Sequence, residues 1–283
     1  MTKIYHVMKG LLRRGGKCFN FIGLCLIALL CWDFTPFGNT FHTLSGDAPR
    51  DLFPVTYSSG RKEAAASSAN RSFGNGSRSI TSLADSSRFN FLYDSLSLKS
   101  LGLSPEAYRK AVNGFLDLVL EGEVRNPGIL SIIDFSQPST RKRLFVLDLY
   151  NGRLLFNTLV AHGRNSGGLM ANRFSNRFNS YMSSVGFYVT GGTFFGKHGY
   201  SLRLEGMEKG WNDNVLGRAI IIHAANYVSE EYIRQSGYLG RSEGCPAIPE
   251  ELKRPIIDVI RGGSCLFVYG QDRRYLERSK LVG

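Results

Sequence analysis

Ala219-Ile220-Ile221-Ile222-His223 is an apolar run that closes on a histidine, and eighteen residues separate it from the serine of Gly240-Arg241-Ser242-Glu243-Gly244-Cys245-Pro246-Ala247. The first segment has the β-branched composition and short length of a buried strand. The second, bounded by glycine and proline, is a turn that presents a cysteine. A thiol becomes a strong nucleophile when a base or a cation favours its thiolate, and histidine is the usual base. Gly244 has no side chain, so the backbone N–H groups around Cys245 are open to a developing oxyanion, and Pro246 stiffens the turn that aims the sulfur. A buried structural cysteine is the commoner fate of such a residue, so the pair alone leaves both readings open.

Outward from this pair the chain reads as mostly β with flanking helices. Ile129 to Phe135, Leu144 to Leu149, Leu154 to Val160, Val185 to Thr190 and Cys265 to Tyr269 are short β-branched or aromatic runs bounded by turn residues. Asn151-Gly152 between two of them predicts a type I′ hairpin turn, because both residue types tolerate positive φ. Ser104-Pro105-Glu106 supplies an N-cap, a proline at the first helical position and an early acid. Ala107, Ala111, Phe115 and Leu118 follow at helical spacing as far as Gly122. A second helix follows Ile248, with Ile256, Ile257 and Ile260 inward and Gly262-Gly263 as its stop.

The N-terminal part is of a different kind. Lys3, Lys9, Arg13, Arg14 and Lys17 precede fourteen uncharged residues, Phe19 to Trp32. That order is the export pattern, and the run is shorter than the roughly 20 apolar residues of a spanning helix. Residues 1–35 are read as a signal peptide or short membrane anchor, cleaved or retained. Residues 36–88 are read as a flexible linker, poorest in large aliphatics from Thr56 to Arg88. The catalytic-type domain is placed at 89–275 and a tail at 276–283. The formal charge of +12 calls for an anionic partner without naming one. A nucleic acid is not expected, since no RNP-like, helix-turn-helix or zinc-finger pattern occurs. Cys18, Cys25 and Cys31 belong to the leader. Cys245 and Cys265 then have no paired metal-ligand spacing, so neither a metal nor another cofactor is expected.

The His223 … Ser242-x-Gly244-Cys245 arrangement resembles the signature of the murein L,D-transpeptidase catalytic domain, whereas papain-like enzymes place cysteine before histidine. Phe135-Ser136-Gln137-Pro138-Ser139, Phe156 to Gly163, Gly186-Phe187-Tyr188-Val189-Thr190 and Gly196-Lys197-His198-Gly199 look like the Gram-negative envelope branch of that family. The resemblance spans Phe89 to Gly270. It implies a β-sandwich-type domain in the periplasm or cell envelope, acting on peptidoglycan stem peptides. It makes Cys245 the nucleophile and His223 a general base oriented by a backbone carbonyl, with Gly244 and Cys245 the source of oxyanion N–H groups. The product it implies is a 3-3 cross-link. The same chemistry with water or a protein amine as acceptor gives a carboxypeptidase or a protein-attaching enzyme. Loss of the chemistry leaves a murein-binding module.

Two positions depart from the family pattern. Pro246-Ala247-Ile248 stands where many members carry a polar residue, a role left vacant or taken by Arg241. Glu243 places a carboxylate beside the thiol, which raises its pKa. Arg241, Ser242 and His198 are the expected substrate-binding residues, Arg241 because a guanidinium holds carboxylate in a fork. Arg173, Arg177 and Arg203 are weaker candidates for that role, and His162 is expected to bond the turn after it. Asn165 to Ser184 is either a lid or an ordinary loop, and Cys265 is expected to be a buried free thiol, unpaired with Cys245.

Overall fold

The computed structural model describes residues 86–283; the leader and all but the last residues of the linker lie outside them. In chain order the elements are α1 (Ser86–Ser95), α2 (Pro105–Leu120), β1 (Ile129–Asp134), β2 (Leu144–Asp148), β3 (Arg153–Thr158), β4 (Gly186–Gly196) and β5 (Gly199–Gly206). There follow β6 (Ile221–Ala224), α3 (Glu230–Ser236), β7 (Ala247–Ile248), a 3-10 turn (Glu250–Leu252), α4 (Lys253–Ile260), β8 (Cys265–Tyr269) and α5 (Arg273–Arg278).

The strands form one sheet in the order β3-β2-β1-β8-β4-β5-β6-β7. Neighbours are antiparallel except β1 with β8 and β6 with β7. Strand β8 lies inside this order and is buried at all five residues. Cys265, Phe267 and Tyr269 enter one core with Phe115 of α2. Leu266 and Val268 enter the other with Ile256, Ile257 and Ile260 of α4. Strand alternation thus sends one strand into two cores, each covered by a helix. Burying a phenylalanine such as Phe115 or Phe267 contributes about 1.5–3 kcal/mol. The two ends of the sheet also approach each other: Ala161, just past β3, donates its N–H to Ala247 O of β7 at 2.8 Å.

Helix α2 begins as its sequence predicts, with Ser104 Oγ accepting from Ala107 N at 3.3 Å and proline in the first turn. The turn between β2 and β3 differs from the expected two-residue type. Asp148 pairs with Arg153, which leaves a four-residue connection. Gly152 alone in it has positive φ, 60°. The Asp148 carboxylate sets this turn by accepting from Asn151 N at 3.0 Å and Asn151 Nδ2 at 2.7 Å. The two strands absent from the sequence reading are β5, whose exposed Arg203 and Glu205 interrupt its apolar run, and the two-residue β7. Residues 276–283, read as a tail, are fastened to the domain. Lys110 Nζ donates to Val282 O at 2.6 Å, and Ser279 Oγ bonds Glu208.

Gly114 lies where α2 crosses β4, and a Cβ there would stand 2.3 Å from Phe187 Cζ and 2.8 Å from Leu281 O. Alanine gains about 1 kcal/mol of helix propensity, but forcing a methyl into a packed core costs about 1–3 kcal/mol. Gly114→Ala is expected to lower the thermal unfolding midpoint by about 2–6 °C. A rise would show that this crossing yields freely.

Candidate functional site

Strands β6 and β7 bring the two sequence segments together. They run parallel with His223 opposite Ala247, so the turn that ends in Cys245 lies beside the histidine strand. Ser242 builds the turn: its Oγ donates to Cys245 O at 2.6 Å and accepts from Gly244 N at 3.1 Å. Gly244 has φ of 124°, and a Cβ on it would meet Met182 O at 2.7 Å. Only glycine fits that conformation in that space. The Gly244 amide is therefore engaged inside the turn, which corrects the expectation that it faces an oxyanion. The Cys245 amide has no hydrogen-bond acceptor among the described residues.

Cys245 is 9% exposed, and its Sγ donates to Ala219 O at 3.7 Å. Ala219 holds a positive φ of 54°, uncommon for a residue with a side chain. Burial pushes the thiol pKa up, the Ile221 backbone N–H and then Arg218 and Lys197 pull against it, and Glu243 adds a smaller rise. His223 is buried, and its Nδ1 lies 2.9 Å from Ala224 O. A carbonyl only accepts, so Nδ1 carries the proton and Nε2 keeps a free lone pair. Burial lowers the His223 pKa, assisted by His198 and Lys197 and opposed by the Ala224 carbonyl. No hydrogen bond joins Cys245 to His223 among the described residues; they share a cleft of about 440 Å³ with Lys197, His198, Arg218 and Tyr227.

His198 sits at the tip of the β4–β5 hairpin with its ring stacked on His223, centroids 4.2 Å apart and 22° from parallel. Arg241 reaches the cleft and donates to Gly167 O at 3.3 Å. Ser242 is buried with its hydroxyl used within the turn. Glu243 stands 3.9 Å from Arg164, whose guanidinium lies 3.9 Å over the Tyr181 ring. Arg203 stacks on Phe194, and Arg177 lines a different depression. Cys265 is a free thiol whose pKa burial raises far, and it faces the other core from Cys245. Among the described residues no group of three or more His, Cys, Asp or Glu could hold a metal.

The sequence reading gave no role to Arg218, Tyr227 and Arg164, and quoted Lys197 only within the Gly196–Gly199 segment. A cation abutting the apolar run at Ala219 was the available signal for Arg218. The 165–184 segment has a built structure: Ser183 Oγ donates to Gly244 O at 3.2 Å, and Ser183 N donates to Ser166 Oγ at 2.9 Å. His162 bonds the turn after it, as expected, with Nε2 3.3 Å from Gly167 O. Its Nδ1 takes a hydrogen bond from Arg143 Nη2 at 2.8 Å.

Residues 99–269 match the L,D-transpeptidase catalytic domain family, and the chain belongs to it. Among solved structures it is similar to an L,D-transpeptidase from Mycobacterium smegmatis, at 12% identity over 50% of this chain and 59% of that one, TM-score 0.32. It is also similar to an L,D-transpeptidase from Stackebrandtia nassauensis, at 14% identity over 68% and 88% of the two chains, TM-score 0.32. The helical cell shape determining protein Pgp2 from Campylobacter jejuni is 16% identical over 51% and 48%, TM-score 0.32. The chain thus spans about three fifths of the length of the Mycobacterium smegmatis protein. No curated protein matches it.

Burial, then the Arg143 charge, lowers the His162 pKa from 6.5 to about 4. Between those values the unfolded chain binds the proton and the folded one does not, so stability present above pH 6.5 falls as pH drops toward 4. The loss amounts to roughly 3 kcal/mol. Urea unfolding at pH 7 and pH 4.5 should show His162→Gln losing less stability than wild type; equal losses would contradict this assignment. At the turn, Gly244→Ala is expected to lower the unfolding midpoint and to change the rate at which iodoacetamide alkylates Cys245. Leaving both unchanged would mean the turn does not need glycine.

Proposed function

We propose that this chain is an exported cysteine L,D-transpeptidase acting on peptidoglycan stem peptides. The observation that carries the reading is the His223 ring, anchored through Nδ1 with Nε2 free, sharing a cleft with Cys245. Nε2 takes the thiol proton once the sulfur turns from Ala219 O, and the thiolate attacks the carbonyl of the third stem residue. The Cys245 amide faces the oxyanion. Protonated His223 then delivers the proton to the departing amine of the terminal D-residue, leaving a thioester. The side-chain amine of a second stem attacks that thioester, His223 takes up the amine proton, and Cys245 departs, closing a 3-3 cross-link.

Burial favours the neutral form of both groups, thiol and imidazole, so the resting pair is uncharged and ionises only as reaction begins. The reading extends to residues outside the described part, with 1–35 as leader or anchor and 36–88, whose last three residues begin α1, as a tether holding the domain in the envelope. Cations on the cleft, Lys197 and Arg241 among them, suit the carboxylates of stem peptides. His198 shields one face of His223 and borders the space where the stem enters.

Incubating the purified chain with disaccharide tetrapeptides and resolving products by mass spectrometry should give cross-linked dimers and released D-residue. Cys245→Ala should abolish both, and His223→Ala should slow them about 10²–10⁴-fold. Released D-residue without dimers would make water the acceptor. Identical profiles for wild type and Cys245→Ala would overturn the catalytic reading and leave a binding module.

A further inference from the structure

Arg218 is the charged side chain of the cleft whose bonding the proposed chemistry leaves unexplained. All four of its hydrogen bonds go to one segment of chain. Nη1 donates to Ser175 O at 2.8 Å and Ser184 Oγ at 2.6 Å, while Nη2 donates to Met182 O at 2.6 Å and Ser180 Oγ at 3.2 Å. The acceptors are neutral, and no carboxylate pairs with Arg218 within ion-pair distance among the described residues. A partly buried guanidinium without a counter-ion leaves its charge available to whatever lies beside it. A Cβ on Gly244 would stand 3.2 Å from Nη2, so the guanidinium packs against the residue just before the nucleophile. The segment it grips is also the one whose Ser183 Oγ bonds Gly244 O, which ties that wall of the cleft to the turn at a second point.

We infer that Arg218 is a positioning residue for Cys245: its guanidinium offsets the thiolate charge through space while clamping residues 175–184 as the wall behind the turn. This rests on Cys245 being the nucleophile. It fills the polar role vacated by Pro246-Ala247 after the cysteine, from an arginine in the turn three residues before β6 rather than on the cysteine turn. The other ionisable groups facing the thiol are Lys197 and His198 from the hairpin tip, His223 from β6, Tyr227, and Glu243 with its neighbour Arg164. Arg241 is drawn toward Gly167 O and over the Tyr238 ring. The mutual influence agrees with the geometry: after the Ile221 backbone N–H, Arg218 is the charged group that most favours the thiolate, ahead of Lys197, and burial depresses the Arg218 pKa while Tyr188 and Cys245 hold it up.

The test is the pH dependence of iodoacetamide alkylation of Cys245 in the full chain, followed by peptide mass spectrometry for wild type, Arg218→Lys and Arg218→Gln. Lysine keeps the charge; glutamine keeps hydrogen bonding without it. Arg218→Gln is expected to raise the alkylation midpoint by about one pH unit, with about tenfold slower labelling at pH 7, while Arg218→Lys stays near wild type. A folded Arg218→Gln with an unmoved midpoint would overturn the inference. Should glutamine fail to give native circular dichroism, Arg218→Lys decides alone, and a rise of a full unit despite the retained charge would overturn it. Wild type separates the two ideas, because Cys245 labelling no faster than the fully buried Cys265 would refute the nucleophile itself.

Discussion

The site depends on a buried guanidinium some distance along the chain from both Cys245 and His223. Arg143 opens the approach to β2, is fully buried, and has its pKa lowered to about 9 by desolvation. Its Nε and Nη2 both donate to Val160 O, at 3.1 and 2.9 Å, its Nη1 donates to Gln137 O at 2.8 Å, and Nη2 also reaches His162 Nδ1. The guanidinium lies 4.7 Å over the Phe135 ring. A charge removed from water is tolerated only when its donors are satisfied. Here the acceptors belong mostly to residues 160–162, which Arg143 fixes in place. Those residues hold the cysteine turn: Ala161 N bonds Ala247 O at 2.8 Å and Ser242 N bonds His162 O at 3.0 Å. The path from Arg143 to Cys245 is a continuous set of hydrogen bonds that brings the two ends of the sheet toward each other.

Within that frame a single electrostatic constraint governs the cleft. Burial favours neutral Cys245 and neutral His223, so moving a proton between them creates a charge pair in a confined space. Lys197 and Arg218 favour the thiolate half of that pair, whereas Lys197 and His198 disfavour the imidazolium half. Glu243 acts in the opposite sense on the thiol, but it is exposed and stands near Arg164, so solvent and that neighbour weaken its field. The carboxylate beside the cysteine therefore tunes the thiol without governing it.

Much of the architecture was legible because local chemistry and tertiary demand agreed. Ser104-Pro105 starts α2 and Cys265 to Tyr269 forms β8 at the residues expected, since capping and a continuous apolar run are local signals. His223 and Cys245 were each local signals, a strand end and a glycine turn, that left a structural cysteine equally open; the pairing of β6 with β7 is what puts them in one cleft. What escaped was set by distant partners. Asn151-Gly152 took a longer turn because Asp148 captured Asn151, and β7 exists only because β6 and Ala161 flank two residues of it. Gly244 was read for its missing side chain, which the structure explains by the nearness of Met182 O, but its amide is held by Ser242. Arg218 acquires its place only when residues 175–184 fold back over it.

The central claim is that Cys245 carries the acyl group of a stem peptide between two amines. Intact-protein mass spectrometry of the chain, acid-quenched during turnover of a disaccharide tetrapeptide, tests it most directly. The account predicts a mass gain equal to the donor minus the free amino acid it releases, found on the Cys245 peptide and lost on hydroxylamine treatment. Turnover with no adduct, or with the adduct on another residue, would contradict it.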